Sequence, residues 1–98
     1  MNVLERLHER HVRARRARVL AGVVAGLLPE GVRVLDIGSG DGEIDAELMR
    51  LRRDLKVDGI DIMLRAKTAI PTRHYDGLRI DAPDGTYQWC MLVDVLHH

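Results

Sequence analysis

The chain has 98 residues and a formal net charge of zero, and it is 46% hydrophobic and 31% charged. That mixture excludes disorder as the default, and the neutral balance gives no global attraction to nucleic acid or a membrane surface. A single cysteine, Cys90, excludes an internal disulfide and a cysteine-cluster metal site.

The aromatic residues are Tyr75, Tyr87 and Trp89, so the core has to be aliphatic. No targeting segment is evident, and one cysteine fits a reducing compartment, so the chain reads as cytoplasmic. The sequence holds no repeat or linker, and residues 1–98 read as a single domain with a helical region over 1–28.

Residues 3–28 read as helix, with a break allowed near Arg15. Good helix formers dominate, and Leu4, Leu7, His11 and Ala14 share one stripe. Pro29 and Gly31 end it. The apolar run from Ala17 to Leu28 falls well short of the about 20 residues a membrane span needs. "VRVLDI" (32–37) is short, apolar and β-branched, which marks a buried strand. A helix is expected from Asp41 to Arg53, with Ile44, Leu48 and Leu51 facing inward. "KVDGIDI" (56–62) is a second strand, and "MLRAKTA" (63–69) a short helix or helical turn. "TRHYD" (72–76) is a weaker third strand. Asp76-Gly77 and "APDG" (82–85) carry turn chemistry, and Asp81 and Asp84 there read as solvated. "QWCMLVDV" (88–95) is a fourth strand, apolar enough to be central, with Cys90 in the core. Strands alternating with helices predict an α/β fold: a Rossmann-like parallel sheet with flanking helices, here ending after the fourth strand. Such sheets bind ligands beyond the carboxyl ends of their strands.

Directly after the first strand comes "GSGDG". A dinucleotide site wants G-x-G-x-x-G with a pyrophosphate on the helix amino end. Gly38, Gly40 and Gly42 instead follow G-x-G-x-G, and Glu43 stands where the third dinucleotide glycine would fall. Asp36, Asp41 and Glu43 would repel a pyrophosphate, and they favour a ligand bearing positive charge.

These residues carry a resemblance. "VLDIGSGDG" resembles motif I of class I S-adenosylmethionine-dependent methyltransferases. "GIDI" is similar to that family's second-strand motif, and "YDG", "PDGTY" and "MLVDVLHH" resemble its run from the third strand into the fourth. The likeness covers roughly residues 17–98, the amino-terminal half of a small-molecule or quinone-type enzyme. It implies S-adenosylmethionine as cofactor. Asp36 would hold the methionine amino group, directly or through water. Gly38, Ser39 and Gly40 would form the loop that approaches the methionine and ribose, with Gly42 allowing close packing of helix on strand. Asp61 would accept the ribose hydroxyls, and its separation from Gly42 is close to the about 20 residues expected of a ribose-binding acid. Ile62 and Met63 would flank the adenine, and Asp76 would contact its amino group. Asp94 opens the active-site side of the fourth strand. The resemblance names no fixed catalytic residue. Asp94, His97 and His98 are the candidates, since an imidazole can serve as general base for an acceptor hydroxyl. Two histidines without a third ligand do not make a metal site.

Arg6, Arg10, Arg13, Arg15, Arg16 and Arg18 outweigh Glu5 and Glu9 in the first helix. A solvated face is the ordinary meaning of such a run, and covering the cofactor is the role the family implies; nucleic acid is not an expected partner. Two departures, Gln88 in place of an acid and "LRIDAPDG" without the usual apolar pair, are expected to loosen packing near the adenine. The sequence thus predicts methyl transfer to a small-molecule acceptor, with this chain as the cofactor-binding half. The alternatives are a non-catalytic interaction module and a dinucleotide-binding oxidoreductase fragment. A fourth strand left bare would pair with a second copy or a partner chain.

Overall fold

The computed structural model describes residues 2–92. Its elements are α1 (Val3–Ala25), β1 (Arg33–Ile37), α2 (Glu43–Leu51), β2 (Lys56–Asp61), β3 (Thr72–His74) and β4 (Trp89–Met91). All strand pairs are parallel, in the order β3-β2-β1-β4. The chain steps outward from β1 through β2 to β3 and then returns to the other side of β1. The strand order therefore reverses between β1 and β4, where folds of this kind open a crevice.

α1 starts on Asn2, whose side chain accepts from Glu5 N at 2.8 Å. It runs unbroken past Arg15 and stops at Ala25, before the predicted end at 28. Leu4, Leu7, His11 and Ala14 are all exposed, so the expected stripe is not buried; Ala17 and Ala21 carry the buried face of α1 instead. α2 begins at Glu43 and ends at Leu51, two residues inside each expected bound. Gly42, in the left-handed conformation, blocks the earlier start. Leu48 is fully buried and Ile44 half-buried, but Leu51 is exposed and Asp45 is buried in its stead.

Residues 63–69 form no helix. They are bends between β2 and β3, held by a hydrogen bond from Ala69 N to Asp41 O at 2.7 Å. β3 is shorter than predicted. β4 was expected over 88–95, and the described part is Trp89–Met91; residues 93–98 lie outside the described region. Among the described residues β4 is an edge strand beside β1, and Cys90 is exposed. An edge strand has a neighbour on one side only, so its apolar sequence does not ensure burial.

Ala21, Val34, Leu48, Leu55, Val57 and Ile70 form the core. α1 packs on α2, and the two helices cover the sheet face that carries Val34 and Val57. A fully buried Leu or Val there contributes about 1.5–3 kcal/mol. At the strands' amino ends, Arg52 donates to Ala25 O, Leu28 O and Pro29 O and pairs with Asp54 at 2.7 Å. That clasp fastens the end of α1 to the turn before β2, and the Arg52 guanidinium holds the Asp54 carboxyl well below the usual carboxylate range.

Candidate functional site

Gly38 to Gly42 leave the carboxyl end of β1 at the point where the strand order reverses. Gly38, Gly40 and Gly42 all have positive φ, at 79°, 60° and 78°. Five of the six amides from Gly38 to Glu43 are spent inside the protein. Gly38 N and Ser39 N donate to Ile60 O at 2.8 and 3.3 Å, and Gly42 N donates to Ser39 O at 3.0 Å. Gly40 N donates to Asp61 Oδ2 at 2.8 Å, and Glu43 N to Asp41 Oδ1 at 3.1 Å.

Asp61, at the end of β2, is therefore tied directly to the glycine loop. Its other oxygen, Oδ1, accepts from Met63 N at 3.1 Å. Each carboxylate oxygen offers a second lone pair, so the group can still accept two hydroxyl protons. Asp36 is 4% exposed and lies beneath the loop, in register with Gly59 of β2. Asp45, on α2, is fully buried and faces it. Burial first, then the Asp36 carboxylate and Asp41, push the Asp45 pKa up from 3.8 to about 10, so Asp45 keeps its proton at neutral pH.

Gly42 has no room for a side chain. A Cβ there would stand 2.8 Å from Ile70 Cγ1 and 3.2 Å from Ile70 N. The close packing expected of Gly42 is thus against the segment entering β3. Gly59 was not singled out from the sequence, and it matters as much. A Cβ on it would collide with Ser39 Oγ, and would stand 2.8 Å from Ser39 Cβ and 3.1 Å from Thr72 Oγ1. Glycine inside a strand is the signal that could have found it, because it marks a close approach. Ser39 Oγ is buried against that glycine and has no hydrogen-bond partner among the described residues.

A cavity of about 530 Å³ lies over the loop. Gly38, Ser39, Gly40 and Asp41 form its floor, while Arg13, Ala14 and Ala17 of α1 form a wall. α1 thus lies over the glycine loop. Ile62 and Met63 follow Asp61 and are 55% and 75% exposed, outside the core. Asp76 lines a separate cavity with Tyr75 and Arg79. Its Oδ1 accepts from Leu78 N at 2.7 Å and Arg79 N at 2.9 Å, and these bonds lower its pKa. It closes a turn there. The structure therefore brings Asp36, Gly38, Ser39, Gly40, Gly42 and Asp61 together, and sets Asp76 apart. Asp94, His97 and His98 lie outside the described residues.

Gln88 sits at the other end of the sheet from the glycine loop. Its Oε1 accepts from Arg33 N at 2.7 Å, and its N donates to Arg33 O at 3.0 Å. It pins the start of β4 to β1, against the expectation that it loosens packing near an adenine. Beside it, Tyr87 OH donates to Asp58 Oδ2 at 2.8 Å, and Arg33 Nη2 meets the same oxygen at 2.9 Å. Among the described residues no helix is long and apolar enough to cross a membrane, and no side-chain cluster is fit to hold a metal.

A parallel sheet with an acid beneath a glycine loop on one strand, and a second acid gripping that loop from the next, defines a domain of the Rossmann-like α/β class. Residues 6–98 match the family described as a methyltransferase domain, and the chain belongs to that family. A search of the curated proteins finds no match.

Proposed function

We propose that the chain binds S-adenosylmethionine at the glycine loop and presents its methyl group to a small-molecule acceptor. The observation that carries this reading is the bonding of the loop. A pyrophosphate is held by free amide N–H groups at a helix amino end. Here the amides of Gly38, Ser39, Gly40, Gly42 and Glu43 already have partners. Carboxylate backs the loop instead: Asp36 lies buried beneath it and Asp61 is bonded to Gly40. That donor set suits an ammonium and a vicinal diol, the polar groups of a sulfonium nucleoside, and not a phosphate. The steric fit agrees, since a Cβ on Gly40 would touch only Arg65 Nη2, at 3.7 Å, and the backbone is open to close approach.

When bound, such a cofactor supplies an electrophilic methyl: the acceptor's lone pair forms the new bond as the C–S bond breaks and its electron pair stays on sulfur. The chain's own residues bind and orient. Asp61 fixes the loop while offering its remaining lone pairs to the sugar. Asp36 places a negative charge under the ammonium. α1 lies over the loop as one wall of the cavity, and alignment with exclusion of water is the principal demand of an in-line displacement.

Isothermal titration with S-adenosylhomocysteine tests the reading. Micromolar binding is expected, weakened about tenfold or more in Asp61→Ala, in line with losing two charge-assisted hydrogen bonds. Heat from NADH with none from S-adenosylhomocysteine would replace it with the dinucleotide alternative.

A further inference from the structure

Arginine side chains from two segments of the chain line the cavity over the glycine loop. α1 turns Arg10, Arg13 and Arg16 to it, at the spacing of one helix face. Arg65 closes the far side, its Nη2 next to Gly40. The acids in the lining are Asp41 and Glu43, and both serve the amino end of α2. Asp41 Oδ1 accepts from Glu43 N, and Glu43 stands in the first helical turn, where the helix's own positive end engages it. Among the described residues Arg10, Arg13 and Arg65 make no ion pair.

A sulfonium cofactor is itself a net cation. Asp36 and Asp61 answer its positive charge, whereas Arg10, Arg13 and Arg65, without an ion pair among the described residues, suit an oxyanion. The carboxylate of the cofactor satisfies one bidentate guanidinium and leaves the others unmatched. We propose that Arg10, Arg13 and Arg65 form an oxyanion subsite beside the cofactor loop, and that the methyl acceptor is a small molecule anchored there through a carboxylate or phosphate. The inference rests on the methyltransferase reading of the same site. Its walls are concave and its floor is the glycine loop, which fits a small molecule; a nucleic-acid strand follows an extended basic groove with stacking aromatics, and the lining holds no aromatic residue.

Inorganic phosphate is the probe, read as the rise in thermal midpoint that a ligand of the folded state produces. With the protein saturated by S-adenosylhomocysteine, phosphate raises the midpoint further. That increment disappears in Arg10→Gln/Arg13→Gln and in Arg65→Gln, and persists in Arg15→Gln/Arg18→Gln, whose arginines lie outside the lining. Each variant is compared at its own saturating concentration of S-adenosylhomocysteine, so a change in cofactor affinity does not enter the increment. A phosphate effect that saturating S-adenosylhomocysteine abolishes assigns the arginines to the cofactor's carboxylate and overturns the proposal. So does an increment equal in every variant, or binding of a single-stranded RNA that is lost in the Arg15/Arg18 variant. If S-adenosylhomocysteine does not bind while phosphate still gives the arginine-dependent rise, the methyltransferase reading fails and the acceptor assignment falls with it, leaving a bare oxyanion site.

Discussion

Gly59 has no functional group, yet the loop that faces the cavity rests on it. Ser39 occupies the space a side chain would need, so Gly59→Ala must push the loop outward or shift β2. Overpacking of this kind costs about 1–3 kcal/mol, and here the displaced loop is the one Asp61 grips. The expected result is a lower thermal midpoint together with weakened S-adenosylhomocysteine binding, seen by calorimetry; unchanged affinity would mean that the loop tolerates displacement. Asp45 gives a pH signature. The folded state keeps a proton that the unfolded chain releases above 3.8, so the unfolded state binds fewer protons and stability falls as pH rises toward about 10. The slope approaches about 1.4 kcal/mol per pH unit. Asp45→Asn imitates the protonated carboxyl facing Asp36 and should flatten that slope. Urea midpoints at about pH 5 and about pH 8 compare the two proteins, and parallel slopes would exclude Asp45 as the cause.

Among the elements, α2 is the one on which site and core both depend. Its amino end receives the glycine loop, and its Leu48 is fully buried between α1 and the sheet. Leu48→Ala is expected to destabilise the fold by about 2–5 kcal/mol. A loss of about 0.5 kcal/mol or less, the size expected of an exposed substitution, would show that the helix is not anchored there. α1 divides into two parts. From Ala17 onward it belongs to the core, while Val3, Leu4 and Leu7 stay exposed. Helix without packing relies on weak local propensity, so hydrogen exchange should be fast over the first two turns and slow around Ala21. Uniform protection along α1 would contradict this division. Arg10 and Arg13 belong to the exposed part and Ala17 to the packed part, so the wall of the cavity draws on both.

For the whole molecule, the sheet order does two things. It puts the glycine loop at the reversal between β1 and β4, and it leaves β4 at the edge among the described residues. Trp89 is 46% exposed there and Cys90 is exposed beside it. An apolar edge strand is a template for pairing, and a formal net charge of zero provides no repulsion between copies. Self-association that grows with concentration is therefore expected in light scattering at neutral pH. A mass that stays at 11.1 kDa across the concentration range would rule it out.

The order of elements, the parallel sheet and the acid-glycine loop were all legible in the residues. Each depends on local pattern: "VRVLDI" can hardly be other than a buried strand, and three glycines in "GSGDG" require positive φ or close approach. Pattern of this kind cannot tell how far an element is covered. The helix expected over 63–69 is absent because Gly42 and Ile70 meet there and Asp41 O binds Ala69 N, contacts between residues distant in sequence. The apolar character of "WCM" could not show that its strand has one neighbour instead of two. Nor could any spacing reveal that Asp45 lies buried against Asp36, or that the arginines of α1 converge on the glycine loop with Arg65. Burial and charge balance are sums over everything nearby in space, and a linear pattern contains only neighbours along the chain.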